Sequence, residues 1–140
     1  MRPKRETLLS DLIDGPLRGL SATAWTAREN ASIVGSGTKV GSALLTDDGS
    51  IFAGCNIEHP FRCHDIHAEV NAIASMVTGG GKAITAILIA AERELFTPCG
   101  GCMDWIMRFA DENCVVGFQS SRDGFIQHYK ATELMPFYPK

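Results

Sequence analysis

The sequence lacks a long apolar run, an excess of basic charge, an even set of cysteines and any internal repeat. No stretch approaches the roughly 18 apolar residues that a membrane span needs. The basic start, Met1-Arg2-Pro3-Lys4-Arg5-Glu6, is followed by a stretch broken by Asp11, Asp14 and Gly15, unlike the apolar centre of a signal peptide. The expected location is therefore the cytoplasm, with no membrane partner. The formal charge of -3 counts against a nucleic-acid binder, which usually presents a basic face, and suits a small-molecule substrate better. Five cysteines without a secretion signal argue against a disulfide framework and for metal binding or buried thiols.

What is present is a chain of 140 residues, 45% of them hydrophobic, enough for one domain over residues 1–140 with its own core. Residues 7–13 could form a helical turn or two, stopped by Gly15-Pro16. Leu17 to about Ser32 favours helix, with Leu20, Ala24, Ala27 and Ala31 at helical spacing. Val40 to Thr46 reads as a strand, Asp47-Asp48-Gly49 as a hairpin turn, and Ser50 to Ile57 as the partner strand. Glu58 to Ile66, with Pro60, reads as a loop placed for substrate contacts. A helix is expected from His67 to about Thr78, ended by three glycines. The apolar run Ala83 to Ala91 fits a strand buried on both faces, with Glu92-Arg93-Glu94 marking its exit. Pro98 suits the first turn of a helix reaching about Asp111. Cys114 to Gln119 and Gly124 to Tyr129 are the last expected strands, before an apolar tail from Leu134 to Pro139. Alternating strand and helix in the second half implies parallel pairing, with helices covering the sheet.

Two short motifs carry the chemistry, His67-Ala68-Glu69 and Pro98-Cys99-Gly100-Gly101-Cys102. Both are expected at helix N-termini, neighbouring each other at one end of the sheet. One imidazole and two thiolates hold a tetrahedral zinc ion with its fourth position open, the pattern of a catalytic site. The helix start beside Cys99 and Cys102 favours the thiolate form that zinc requires. Glu69, two residues from the imidazole ligand, is placed to move a water's proton as general acid and base.

Other readings use the same residues. Cys63 or His64 could supply a fourth ligand and close the metal into a structural site within an interaction module. The Cys-x-x-Cys pair alone fits a dithiol redox protein. Cys55 and Cys114 read as packed strand thiols, and Trp25 and Trp105 as core or subunit-contact residues. Arg62 and His64 could touch substrate, or could simply belong to a solvated loop.

H-x-E followed by P-C-x-x-C is the signature of zinc nucleobase deaminases. From about Val40 to Phe137 the chain resembles the cytidine deaminase family, including its blasticidin S deaminase relatives. The resemblance rests on Val40-Gly41-Ser42-Ala43-Leu44-Leu45, on Gly54-Cys55-Asn56-Ile57-Glu58, on the two zinc motifs, and on Glu133-Leu134-Met135-Pro136 followed by Phe137. It implies a three-layer αβα sandwich with a five-stranded mixed sheet, and hydrolytic deamination at C4 of a cytosine-type ring. It implies zinc on His67, Cys99 and Cys102, proton transfer by Glu69, sugar contacts from Asn56 and Glu58, and a ring contact from the Ala68 backbone. It also implies a homo-oligomer, a tetramer or else a dimer, whose sites are completed across subunits, with Phe137 the candidate aromatic. The alternative enzymes are deaminases of a free base or of nucleic acid.

Several positions depart from the family pattern. Short members usually carry Cys at the position of His67 and Arg at that of Val70, where the Arg offsets a third thiolate. Here both change together, and one imidazole with two thiolates already cancels zinc's charge. Thr38 stands in place of a ring-stacking Phe. Cys102-Met103-Asp104 replaces C-R-Q, and the loop from Glu58 to His64 differs throughout. Conserved chemistry in a reshaped pocket is the expectation, with a modified nucleoside or an aminopyrimidine antibiotic as substrate rather than cytidine itself.

Overall fold

The structure, a computed structural model, describes residues 14–94 and 96–139. The expected turns at residues 7–13 lie outside them. In chain order the elements are α1 (Pro16–Glu29), β1 (Val40–Thr46), β2 (Ile51–Cys55), a 3-10 turn (Arg62–His64), α2 (Ala68–Thr78), β3 (Ile84–Ala91), α3 (Gly100–Phe109), β4 (Ala110–Gln119), β5 (Ile126–Lys130) and a short α4 (Ala131–Leu134).

β3 is the spine of the sheet because its sequence is apolar on both faces. Ile87 and Ile89 pack with Ala72, Ile73 and Met76 of α2 and with Met103 and Ile106 of α3. Ala86, Leu88 and Ala90 face the other way, against Leu17, Leu20, Ala24 and Trp25 of α1. Helices therefore cover both sides, and the three layers are α1, the sheet, and α2 with α3. The strand order is β2-β1-β3-β4-β5. β1 pairs antiparallel with β2 and with β3. β3 and β4 are parallel, joined by the crossover through α3. β4 and β5 are antiparallel, because only a short turn joins them. The parallel pairing inferred from strand–helix alternation thus holds for β3 and β4 and stops there.

Glycine permits close helix–sheet approach at two positions. A Cβ at Gly41 would lie 2.0 Å from the Ala24 carbonyl oxygen in α1. One at Gly54 would lie 2.4 Å from the Ala72 nitrogen and 2.8 Å from the Ala68 oxygen in α2. The Asn71 amide also donates to the Cys55 carbonyl at 2.9 Å, tying α2 to β2. These contacts are to backbone, which cannot rotate away. Gly54→Val is expected to push the start of α2 off the sheet, costing about 1–3 kcal/mol of stability and lowering zinc content. Urea denaturation and metal analysis of the variant check both effects.

On the α1 side lies a buried polar network. The Gln119 carbonyl accepts from Ser21 Oγ at 2.6 Å and from Trp25 Nε1 at 2.7 Å, while its amide donates to the Gly124 carbonyl at 2.9 Å. Trp25 is therefore a core residue with its N–H satisfied, which makes its burial tolerable. Trp105, by contrast, is exposed on α3.

Candidate metal centre and its cavity

Both ligand motifs arrive at the same end of the sheet. His67 is the N-cap of α2 and Cys99 is the N-cap of α3. β3 ends nearby at Ala91, which pairs with Val40 at the start of β1. His67 Nδ1 lies 3.2 Å from Cys102 Sγ and 3.4 Å from Cys99 Sγ, and the two sulfurs are 3.3 Å apart. A tetrahedral zinc with bonds of about 2.0–2.3 Å places its ligand atoms about 3.4–3.8 Å apart. The trio is within a few tenths of an ångström of that arrangement.

Among the described residues the donor cluster stops at these three. Cys63 and His64 lie outside it, both exposed, with His64 edge-on to the His59 ring at 5.1 Å. The closed four-ligand reading therefore has no fourth donor here. The sulfurs of Cys99 and Cys102 are close but unbonded, so they form no disulfide.

The electrostatics call for a cation. The Cys102 amide donates to Cys99 Sγ at 3.4 Å, the helix-start contact that favours a thiolate. Cys102 itself is buried, and burial pushes its thiol far above the usual range, with the Glu69 carboxylate adding to the shift. Helix dipole alone therefore does not secure the second thiolate. A bound divalent ion supplies what burial and Glu69 withhold, and this donor set fits zinc.

A cavity of about 420 Å³ opens beside the trio. Its lining includes His67, Ala68, Glu69 and Cys99 at the ligand motifs, Thr38, Asn56, Glu58 and Arg62 from the first half, and Arg93 and Phe96 from the loop before Cys99. Glu69 is only 6% exposed, so its carboxylate works in a largely dry setting.

Asn56 and Glu58 line the cavity but are also held by the protein. Asn56 accepts from the Val40 amide at 2.9 Å and donates to the Thr38 carbonyl at 3.0 Å, pinning the segment that precedes β1. One oxygen of Glu58 accepts from the amides of Val34, Gly35 and Ser36 at 2.8–3.2 Å, and the other from Arg62 at 3.2 Å. Contacts from Ser36 and Gly35 lead in holding its pKa down at about 2, against an ordinary 4.5. Because the folded state prefers the charged form, this contribution is complete above about pH 4.5 and is lost as the pH falls towards about 2. Glu58→Gln is expected to be less stable than the wild type at neutral pH, with the difference shrinking over that acid window. Urea midpoints across the series measure it.

Phe137 is 95% exposed and does not line the cavity of its own chain. Next to it, Tyr138 donates to the Asp104 carboxylate at 2.7 Å, latching the tail onto α3 two residues after Cys102. Arg93 and Phe96 were not among the expected site residues. The available signal was their position, a charged and an aromatic side chain between a buried strand and the Pro98-Cys99 motif.

A family model of the cytidine and deoxycytidylate deaminase zinc-binding region matches residues 18–118. The chain belongs to that family. It is 33% identical over 118 residues to a cytidine deaminase of Sporosarcina psychrophila, spanning 84% of this chain and 86% of the other. It is 32% identical over 111 residues to a cytidine deaminase of Halalkalibacterium halodurans, spanning 79% and 83%. The crystal structure of cytidine deaminase from Burkholderia pseudomallei matches with a TM-score of 0.77 at 30% identity, covering 86% of this chain and 96% of that one. Cytidine deaminase from Mycobacterium tuberculosis, at 22% identity, shares the fold with a TM-score of 0.75, covering 86% and 94%. This deaminase-family chain is a hydrolase acting on the C–N bond of a cyclic amidine, and zinc is its metal. Family membership sets aside the dithiol redox and purely structural readings. No helix among the described residues is long and apolar enough to cross a membrane.

Proposed function

We propose that the protein hydrolyses the exocyclic C–N bond of a cytosine-type nucleoside, giving the uracil form and ammonia, in one domain spanning residues 1–140. The observation that carries this reading is the convergence of His67, Cys99 and Cys102 on one point, without a fourth protein donor among the described residues, in the wall of a cavity that also holds Glu69.

His67 Nδ1, Cys99 Sγ and Cys102 Sγ hold zinc in this reading. Zinc bound there acts as a Lewis acid that makes a water acidic near neutral pH. Glu69 accepts a proton from the attacking water and delivers it to the ring nitrogen, then assists departure of the amine as ammonia. Water contributes the oxygen that replaces nitrogen at C4, so no redox partner is required. The Ala68 N–H, in the first turn of α2, has no partner within its own helix and serves the ring carbonyl. Asn56 and Glu58, already oriented by Val40, Ser36 and Arg62, present their remaining hydrogen-bonding capacity to the sugar.

Phe137 acts at a neighbouring subunit's cavity in this reading, within a homo-oligomer that is a tetramer or a dimer. Its strong exposure beside the Tyr138 latch supports that role. The altered loop from Glu58 to His64 and the small Thr38 favour a modified nucleoside or a nucleoside antibiotic over cytidine. The acidic balance suits a small substrate in the cytoplasm and counts against nucleic acid. The test is ammonia release from a panel of aminopyrimidine nucleosides, free bases and blasticidin S by the zinc-loaded protein. Turnover of a nucleoside member supports the reading; turnover of free cytosine alone, or of none, removes it.

A further inference from the structure

Among the described residues, Ser42 Oγ is the one fully enclosed side-chain oxygen or nitrogen without a hydrogen-bond partner in the protein. Ser42 stands on β1 and is completely buried. Burying a hydroxyl without a partner costs free energy, and an alanine there would avoid that cost. The other buried polar side chains of the sheet are served. Gln119 has Ser21, Trp25 and the Gly124 carbonyl, and Thr46 has Asp48 and Ser50. The Ser42 hydroxyl is therefore a polar group that the fold carries without using it for stability.

Strand register fixes where that hydroxyl lies. Ser42 pairs with Gly54 on β2 and with Ile89 on β3, and directly paired residues share one face of a sheet. On that face Gly54 lies under the first turn of α2, against the Ala68 oxygen and the Ala72 nitrogen. Ile89 packs with Ala72 and Ile73 and also lines the cavity. Val40, two residues back along β1 and so on the same face, lines the cavity as well. Ser42 is thus one row behind the cavity floor, beneath the turn of α2 that carries Glu69.

The Glu69 carboxylate is thinly held. Among the described residues its one hydrogen-bonding partner is the Cys102 side chain, which belongs to the metal site. A sulfur occupied by a metal leaves the carboxylate without a donor on that side. Proton transfer demands accurate placement, and a carboxylate free to swing loses rate.

We propose that Ser42 is a positioning residue for Glu69: its hydroxyl donates to one carboxylate oxygen and keeps the other aimed into the cavity. This rests on the deaminase reading. Ser42 itself is outside the cavity lining and the donor cluster. In the structure the carboxylate is turned to Cys102 and the hydroxyl is idle. The bond forms when Glu69 turns from the sulfur to the reacting water, so it strengthens during the reaction and acts on kcat rather than on KM.

The test compares the zinc-loaded wild type with Ser42→Ala, Ser42→Cys and Ser42→Thr, on the aminopyrimidine nucleoside that the wild type deaminates fastest. Ser42→Ala is expected to lower kcat about 10-fold, the worth of one hydrogen bond to a charged group, with KM changed less than about 2-fold. Ser42→Cys, near serine in volume but a weak donor, is expected to fall with it, and Ser42→Thr, which keeps the hydroxyl, to recover most of the loss. The urea midpoint and zinc content of Ser42→Ala are expected to equal or exceed those of the wild type, since the deleted hydroxyl was unpaired. Calorimetry supplies a readout without turnover. Tetrahydrouridine, whose saturated C4 carries a hydroxyl, is expected to bind Ser42→Ala about 10-fold more weakly, while uridine binding is unchanged. A wild type that deaminates nothing removes the proposed function, and this assignment with it. A wild type that works and a Ser42→Ala that matches it in kcat and tetrahydrouridine binding overturns the Ser42 assignment alone. Loss of activity in step with a lowered urea midpoint, or full kcat in Ser42→Cys, assigns the effect to packing and overturns it too.

Discussion

Glu69→Gln is expected to keep zinc bound and to lower kcat by about 10²–10⁴-fold, the usual worth of a positioned general acid and base. The substitution is nearly isosteric, and Glu69 stands outside the three-donor cluster. Glutamine therefore preserves shape and metal while losing the ability to take up and return a proton. Its burial in the first turn of α2 strengthens the expectation, since little bulk water reaches the position to act in its place. Steady-state kinetics with zinc analysis of the same sample separates the two effects. Turnover within a few-fold of the wild type would remove Glu69 from the proton path.

Cys102→Ala is expected to reduce zinc from about one ion per chain toward none and to abolish deamination, since two remaining protein donors do not make a tight zinc site. Cys102 is the one buried member of the trio, whereas His67 and Cys99 are exposed. The informative control is Cys114→Ala. Cys114 is as well buried but packs in the core on β4, outside the donor set. Both changes remove one sulfur from the interior, so their effect on packing is comparable. Loss of metal and activity from Cys102→Ala with both retained in Cys114→Ala assigns the loss to coordination. Equal losses would assign it to packing.

The sequence reveals β3 and the two ligand motifs most clearly, because each depends on local pattern alone. Eight residues from Ile84 to Ala91 have no solvent-facing side, which only a central strand accommodates. His67, Cys99 and Cys102 are legible because zinc demands particular donor atoms at helix starts. The start of β4 is less legible. It begins at Ala110, earlier than the expected Cys114, because its partly exposed Asp111-Glu112-Asn113 segment joins the strand while lacking an apolar pattern. α3 accordingly ends at Phe109, before the expected Asp111. β2 ends at Cys55, and Ile57 leaves it to bridge Ser32 and Ile66 instead.

Long-range polar contacts were the least legible. No local pattern announces that Gln119 will accept from Ser21 and Trp25, nor that Glu58 will collect three backbone amides from residues 34–36. Those bonds exist only once the chain has folded and brought distant segments together. Arg93 and Phe96 belong to the same class. Their place in the cavity follows from the end of β3 and from the packing of Phe96 on Phe118, which adjacent residues do not encode.

X-ray absorption at the zinc edge of the purified protein tests the central claim most directly. The account predicts about one zinc per chain, coordinated by two sulfurs and one imidazole nitrogen, with a fourth position that exchanges when a small ligand is added. A spectrum showing three or four sulfurs, or a coordination sphere that no added ligand perturbs, would contradict it.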